Sequence, residues 1–336
     1  MATIHDVARE AGVSIATVSR VLQGSPKVQP KTKELVEEAI SRLDYRPNRL
    51  AQQFRNQKTK DILVILPDIG NTFFTEILAG IERVAQKNGY SILIANSHGD
   101  QWTEEHYFEQ LGQKQVDGVI SFSSVLPSEL LLGYAGDNPV VVGLRYVNQT
   151  EVPNVTIDNF KAAADMTSYI LNLGHQKICY LAGPAKVQLY QSRLQGFLSA
   201  VSERGLSIDA GLITNCNASI QSGFDAVSNL LNSGAEFTAV VASGDTMAIG
   251  AIRALNAQGF RVPEDVAVVG FDDIELARLL SPTLTTIRQP QQQIGRRSME
   301  MLLDLINGKP IRNYRTVLDY ELVIRESSGS FLKPKN

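Results

Sequence analysis

Cysteine is nearly absent from this chain. Only Cys179 and Cys216 occur in 336 residues, and no C-x-x-C pair is present, which excludes a disulfide framework and indicates a reducing compartment. Histidine is as scarce: His5, His98, His106 and His175 stand apart without metal-ligand spacing, so no metal is expected. Neither G-x-G-x-x-G nor G-x-x-x-x-G-K-[ST] appears, so neither a dinucleotide nor a nucleoside-triphosphate site is signalled. Ser124 and Ser243 lack the surroundings of a nucleophile elbow. No catalytic residue and no cofactor is expected, and an enzyme fits poorly. The first 30 residues contain no apolar core of signal-peptide length, and no run approaches the roughly 20 apolar residues of a membrane span. A cytoplasmic protein with no membrane partner is the expectation.

What is present begins at Thr3. Thr3 and Asp6 make an S/T-x-x-D start, after which Ile4, Val7, Ala8 and Ala11 share one face of a short helix that Gly12 ends. Ser14 suits the cap of a second helix, Ile15 to Leu22. In it Val18, Val21 and Leu22 turn inward, and Ile15, Ala16, Ser19 and Arg20 outward. Helix, glycine turn and helix form a DNA-binding hairpin. Pro30 opens a third helix, whose Leu35, Val36, Ala39, Ile40 and Leu43 supply the stripe that covers the other two.

Charge agrees with that reading. Residues 1–60 hold 11 Lys and Arg against 6 Asp and Glu, a balance of +5, so the remainder carries −8 to reach the overall −3. A basic head on an acidic body suits phosphate binding with counterion release. Small apolar side chains at the outward start of a second helix suit close approach to thymine methyls in a major groove. Pro47 biases Arg46 away from the α region, and Asn48 caps a segment, Arg49 to Phe54, too short to be helical alone.

From Lys60 the pattern changes. DILVILPD, YSILIANS, DGVISFSS and NPVVVGL read as buried parallel strands, alternating with helical stretches near 73–88 and 102–115. KICYLAGP, FTAVVASGD and VAVVGFDD repeat the theme, with helices near 159–173, 191–205, 222–233 and 246–258. The phrases NGYSILI, RGLSI and QGFRVPEDVAVVGF form a weak internal repeat. The fold class is α/β: a three-helix helix-turn-helix head and a hinge, followed by two doubly wound parallel-sheet subdomains. The boundaries are 1–46 for the head, 47–59 for the hinge and linker, 60–330 for an effector-binding and dimerisation unit with several crossovers, and 331–336 for the tail.

Ligands bind beyond the carboxyl ends of parallel strands. That rule selects Asn71 to Phe74, Ser123 and Ser124, Leu144 and Arg145, Gly183 to Arg193, and Asp272 with Asp273. Phe73 and Phe74 offer stacking surface, with one of them expected in the core; Ser124 offers a hydroxyl, Arg193 a donor fork and Asp272 two acceptors. Asp273 reads more readily than Asp272 as a turn cap, and Asp158 as the cap of the helix at 160. Arg145 reads equally as a pocket cation or a surface residue. After YRTVLDYELVIRES, read as strand, the tail SGSFLKPKN is too short and too rich in Gly, Ser and Pro for a tetramerising coil, so a dimer is preferred over a tetramer.

The stretches IHDVAREAGVSIATVSRVL, YRPNRLAQQF, GPAKVQLYQSRLQGF, VPEDVAVVGFDDIELARLLSPTLTTIRQP and IGRRSMEMLLDLI resemble the LacI/GalR family of bacterial transcriptional regulators from residue 3 to about residue 325. DIGNTFFTEILAGIE and RLQGF look most like its cytidine-repressor branch. The resemblance implies a periplasmic-binding-protein-like body and a regulator, most often a repressor, that holds a pseudo-palindromic double-stranded DNA operator as a dimer under small-molecule control. It implies base-edge contacts by Ile15, Ala16 and Arg20, and phosphate contacts by Thr3, Ser14, Ser19, Thr32, Tyr45 and Asn48. It also implies a hinge helix bearing Ala51, with Phe54 at the minor-groove wedge where leucine is usual. Effector contacts fall on Phe73, Phe74, Ser124, Arg145, Arg193 and Asp272. Ala218 replaces the aromatic platform of many members and Leu144 a polar residue. A nucleoside is the first expectation for the effector, followed by a sugar or sugar phosphate. A solute-binding protein of the same two-lobe fold is the alternative; the head argues against it.

Overall fold

The structure, a computed structural model, describes residues 2–22, 25–45, 58–123, 125–136, 138–145 and 152–330. Asn48, Ala51, Phe54 and Ser124, most of the 47–59 hinge, and the 331–336 tail lie outside the described residues. The chain divides between Thr59 and Lys60 into two compact units.

In the first unit, α1 (Ile4–Glu10) starts at a reciprocal capping box: Thr3 Oγ1 accepts from Asp6 N, while Asp6 Oδ2 accepts from Thr3 N at 2.9 Å. Gly12 takes φ +63, a conformation that spares it a Cβ clash and turns the chain into α2 (Ile15–Leu22). Ser14 Oγ accepts from Thr17 N at 3.2 Å and so caps α2. Pro30 occupies the first turn of α3 (Pro30–Arg42). Val7, Ala8, Val18, Val21, Val36 and Ala39 close a small core. Two residues depart from the expected pattern. Leu35 is 46% exposed, because the seam of α3 runs through Val36 and Ala39 and Leu35 stands a hundred degrees off it. Ser19 is buried rather than outward: a short side chain next to Val18 falls inside the apolar stripe.

The second unit is built on two six-stranded sheets. The first part of the chain supplies β1 (Asp61–Leu66), α4 (Phe73–Lys87), β2 (Ser91–Asn96), α5 (Gln101–Gly112), β3 (Gly118–Ser121), α6 (Ser128–Ala135), β4 (Val140–Gly143) and β5 (Asn154–Ile157). The next part supplies α7 (Asn159–Asn172), β6 (Ile178–Ala182), α8 (Gln188–Glu203), β7 (Ile213–Asn215), α9 (Ile220–Asn232), β8 (Ala239–Ala242), α10 (Asp245–Ala257), β9 (Ala267–Asp272), α11 (Leu276–Leu279) and β10 (Thr285–Arg288). The chain then returns with α12 (Gln291–Ile306) and β11 (Arg315–Leu318), and continues into β12 (Glu321–Val323).

Strand order is β11-β5-β4-β3-β1-β2 in the first sheet and β12-β10-β9-β8-β6-β7 in the second. All the pairings are parallel except that of β12 with β10. The chain therefore passes between the lobes three times: after β5, after β10 and between β11 and β12. The strand-like run YRTVLDYELVIRES is cut at Asp319 and Tyr320, and its halves join different sheets.

β1, β3, β4, β6 and β8 carry the continuous apolar runs expected of sheets covered on both faces and are buried almost throughout, whereas β2, expected to be buried, lies at the sheet edge with Leu93 and Ile94 exposed. In the first lobe α4 and α12 cross at Gly80 and Gly295, where a methyl would overlap the carbonyls of Gln292 and Ile77. No helix of the described residues is long and apolar enough to cross a membrane.

Candidate functional site

Between the lobes of the second unit lies a cavity of about 580 Å³, and each segment lining it sits at or just past the carboxyl end of a parallel strand. Phe73 and Phe74 open α4, with Asn71 Oδ1 accepting from Phe73 N at 3.0 Å. Both rings are buried, edge to face at 5.3 Å, and both line the cavity while belonging to the core; Phe122 extends the apolar wall.

The second lobe offers a different surface. Arg193, on α8, is 3% exposed. Its Nε donates to Asn159 Oδ1 at 2.9 Å, its Nη1 donates to the Ser243 carbonyl at 2.6 Å, and the guanidinium lies 3.5 Å over the Phe271 ring. Nη1 stands 3.5 Å from Asp272 Oδ1, which accepts from Gln289 Nε2 at 2.7 Å. Beneath lies Asp245, fully buried, accepting from Thr286 Oγ1 at 2.6 Å and Ile274 N at 2.9 Å. Burial pushes both carboxyls above the ordinary range; the charge of Asp272 adds to the effect on Asp245, while Arg193 and Gln289 oppose it on Asp272. The two carboxyls form one linked pair.

Asp273, the better of the two aspartates as a turn cap, is an ion-pair acceptor. Its carboxylate, with no exposed surface, accepts from Arg288 Nε at 2.6 Å, Arg325 Nη2 at 2.6 Å and Arg278 Nη2 at 3.1 Å. Burial opposes its ionisation, but the arginines hold the carboxyl below the usual range. Asp158 caps α7 as expected, accepting from Lys161 N at 2.9 Å. Arg145 is not among the lining residues: Nη1 donates to the Leu126 carbonyl at 2.6 Å and Nη2 to Ser128 Oγ at 3.1 Å, within the first lobe.

Sequence reasoning passed over His98, Gly99, Asn215 and Asn217, which also line the cavity. The available signal was that each follows or ends a strand, but β7 has only three residues and leaves little trace in the sequence. A backbone signature also marks the site. Four non-glycine lining residues, His98, Leu144, Ala218 and Asp272, have positive φ. Such strain persists where the surroundings over-determine it, which is common at ligand sites. Gln291 Nε2, donating to the Asp272 carbonyl at 2.8 Å, is one such restraint.

In the head, Ile15 (39% exposed), Ala16 and Arg20 share the outer face of α2. Thr3 and Ser14 already serve as helix caps, and Thr32 and Tyr45 are half-buried.

Comparison with known proteins covers both units. A family profile described as bacterial regulatory proteins, lacI family, matches residues 3–48, and one described as periplasmic binding proteins and sugar binding domain of LacI family matches residues 59–321. The HTH-type transcriptional repressor CytR of Escherichia coli K12 is 37% identical over 328 residues, covering 97% of this chain and 96% of that protein. The HTH-type transcriptional regulator RegA of Clostridium saccharobutylicum is 40% identical over 333 residues, 98% of this chain and 100% of its own length. A lac repressor dimer, solved bound to operator and the anti-inducer ONPF, superposes with a TM-score of 0.87 at 29% identity, covering 97% of this chain and 99% of that one.

Proposed function

This chain belongs to the LacI family of bacterial regulatory proteins, whose members named above are DNA-binding regulators, and from that premise we propose that it is a cytoplasmic repressor holding a pseudo-palindromic operator as a homodimer, under control of a small molecule bound between its lobes. The observation that carries the reading is the pre-assembled Arg193–Asp272 network on the wall of the cavity between the lobes, in a chain that also presents Ile15, Ala16 and Arg20 on one open helix face. A solute-binding protein would have no use for that helix face.

In this reading Ile15 and Ala16 meet base edges, and Arg20 grips a guanine through its two-pronged donor. Thr3, Ser14, Ser19, Thr32, Tyr45 and Asn48 set register on the phosphates, with the head's positive charge supplying salt-sensitive affinity. The segment with Ala51 and Phe54 pairs with its counterpart in the minor groove, Phe54 acting as the wedge. The effector is a nucleoside: the Phe73, Phe74 and Phe122 wall suits a planar base, and Arg193 with Asp272 suits vicinal hydroxyls. A sugar or sugar phosphate is the competing effector, since it would use the same donor and acceptors. The relatives are regulators, and we assign the cavity to recognition rather than turnover.

Control requires that the effector bind one arrangement of the lobes more tightly than the other, since equal affinity shifts nothing. The three crossings of the chain are where such a rearrangement bends. Fluorescence anisotropy of a labelled palindrome with a central CG, titrated with protein and then with nucleosides, sugars and sugar phosphates, tests the proposal. The expected result is salt-sensitive operator binding that one nucleoside changes at least tenfold. Operator binding that responds only to a sugar would replace the effector, and the absence of specific binding would overturn the regulator reading.

A further inference from the structure

The second lobe's wall holds a further polar group that the effector assignment does not use. Tyr190 lines the cavity three residues before Arg193 on α8, so the two side chains leave the helix on neighbouring positions of one face. Its place is set by the backbone around it. The Tyr190 amide donates to the Val187 carbonyl at 3.1 Å, and Gln191 Nε2 ties the helix start to the Ala185 carbonyl at 2.7 Å. The ring lies against Gly183, where a methyl would stand 2.3 Å from Cδ1 and 2.4 Å from Cγ. Any side chain at residue 183 would push the ring away. The Arg193 guanidinium lies 5.6 Å from the ring centre, which puts this ring beside the Arg193–Asp272 network.

The hydroxyl at the end of the ring is deep and yet open. Burial is the main cause that pushes its ionisation up to about 12; the Asp272 charge adds to the effect and the Arg193 charge opposes it. It therefore stays a neutral phenol, with one proton to donate and lone pairs to accept. Among the described residues this hydroxyl has no hydrogen-bond partner, and it is not sealed from solvent-sized contact as the unpartnered Tyr180 hydroxyl is. A deep polar group that the protein leaves unpaired costs free energy unless something else meets it. Deep, unsealed and beside two charged lining residues, the Tyr190 hydroxyl opens on the ligand space.

We propose that Tyr190 is a third polar contact for the effector, its hydroxyl hydrogen-bonding a sugar hydroxyl next to those taken by Arg193 and Asp272. Arg193 only donates and an ionised Asp272 only accepts, whereas a phenol does both, so Tyr190 can meet a ligand hydroxyl in whichever direction the other two leave open. The inference rests on the cavity being a nucleoside site and adds a specificity-determining residue to the reading of the sugar. A site built to hydrogen-bond a hydroxyl discriminates strongly against the analogue that lacks it, because the site's own polar group is then left unpaired. Gly183 is the positioning residue, since it alone makes room for the ring.

The test is calorimetric titration of the intact protein with adenosine, cytidine and the 2′-deoxy, 3′-deoxy and 5′-deoxy forms of each. Wild type is expected to bind at least one deoxy form about tenfold or more weakly than its parent. Tyr190→Phe removes one oxygen and leaves the ring on Gly183, so its melting temperature and operator binding should match wild type. It should weaken the parent by about fivefold or more while binding that one deoxy form as wild type does, which reduces the discrimination to about threefold or less. Discrimination against a deoxy form whose missing hydroxyl belongs to Arg193 and Asp272 should survive in Tyr190→Phe. Unchanged affinity for the parent in Tyr190→Phe, an equal loss for the parent and every deoxy form, or a wild type indifferent to all three deoxy changes overturns the inference alone. Failure of both parent nucleosides to bind overturns the nucleoside reading with it.

Discussion

The two lobes bring opposite chemistries to one cavity. The first lobe faces it with Phe73, Phe74 and Phe122, adds Asp68, Asn71 and His98 to the lining, and keeps Arg145 out of it. The second brings charge to the surface itself, in Arg193 and Asp272, backed by the buried Asp245. Apolar burial is non-directional and rewards many ligands alike, roughly 25 cal/mol per Å². Buried hydrogen bonds to charge are directional and severe on a wrong partner. On the function proposed above, the first lobe contributes contact area and the second reads the ligand's hydroxyls.

The largest effect should come from breaking the second lobe's network. Arg193→Ala leaves Asp272 uncompensated beside Asp245 and should cost about 3–5 kcal/mol in urea unfolding. Below its lowered melting temperature it should still bind operator while losing the effector response at least a hundredfold. Normal effector response in this variant would remove the cavity assignment.

A smaller effect should appear in the pH dependence of stability, where the carboxyls pull in opposite directions. Asp245 and Asp272 have raised values in the folded state, so the stability of their protonated forms is complete below the ordinary carboxyl value of 3.8 and is lost as the pH climbs toward neutrality. Asp273 has a lowered value, so its contribution is present above 3.8 and is lost as the pH falls through its depressed value. Asp245→Asn should therefore flatten the decline above pH 4, by on the order of 2 kcal/mol, and Asp273→Asn should remove the acid limb. A decline that persists in Asp245→Asn would place its origin elsewhere.

The smallest effect belongs to the apolar wall. Phe74→Leu retains most of the burial and loses the ring that a ligand's planar group would pack on, about 0.5–1.5 kcal/mol, so affinity should fall roughly threefold to tenfold. The loss should be similar for every ligand that binds. A loss confined to one ligand in calorimetry would contradict the division of labour between the lobes.

Much of this arrangement was legible in the sequence, because it depends on local rules. The capping box at Thr3, the glycine turn, the Pro30 start and the buried strands each follow from a few adjacent residues. The strand-end rule reached Phe73, Phe74, Arg193 and Asp272 without any knowledge of packing. What escaped depends on contacts distant in sequence. A local rule offers Asp273 only a turn cap, since Arg325, 52 residues away, is invisible to it. Sequence alone leaves Arg145 between pocket and surface, and only the fold shows that Leu126 and Ser128 take its guanidinium. Leu35 and Ser19 were assigned by helical spacing alone, which locates a stripe but not its edges.

The return of α12 and β11 to the first lobe bears on how the protein is made. Their glycine-fitted partner α4 and the open edge of β5 are synthesised early, yet their covers lie more than a hundred residues later in the chain. At about 5–20 residues per second, the interval between Ile157 and Ile306 leaves a nascent first lobe with an uncovered helix face and an unpaired strand for roughly 7–30 s. During that interval the ribosome carries a sticky half-built sheet, and protection from aggregation falls to chaperones rather than to the fold.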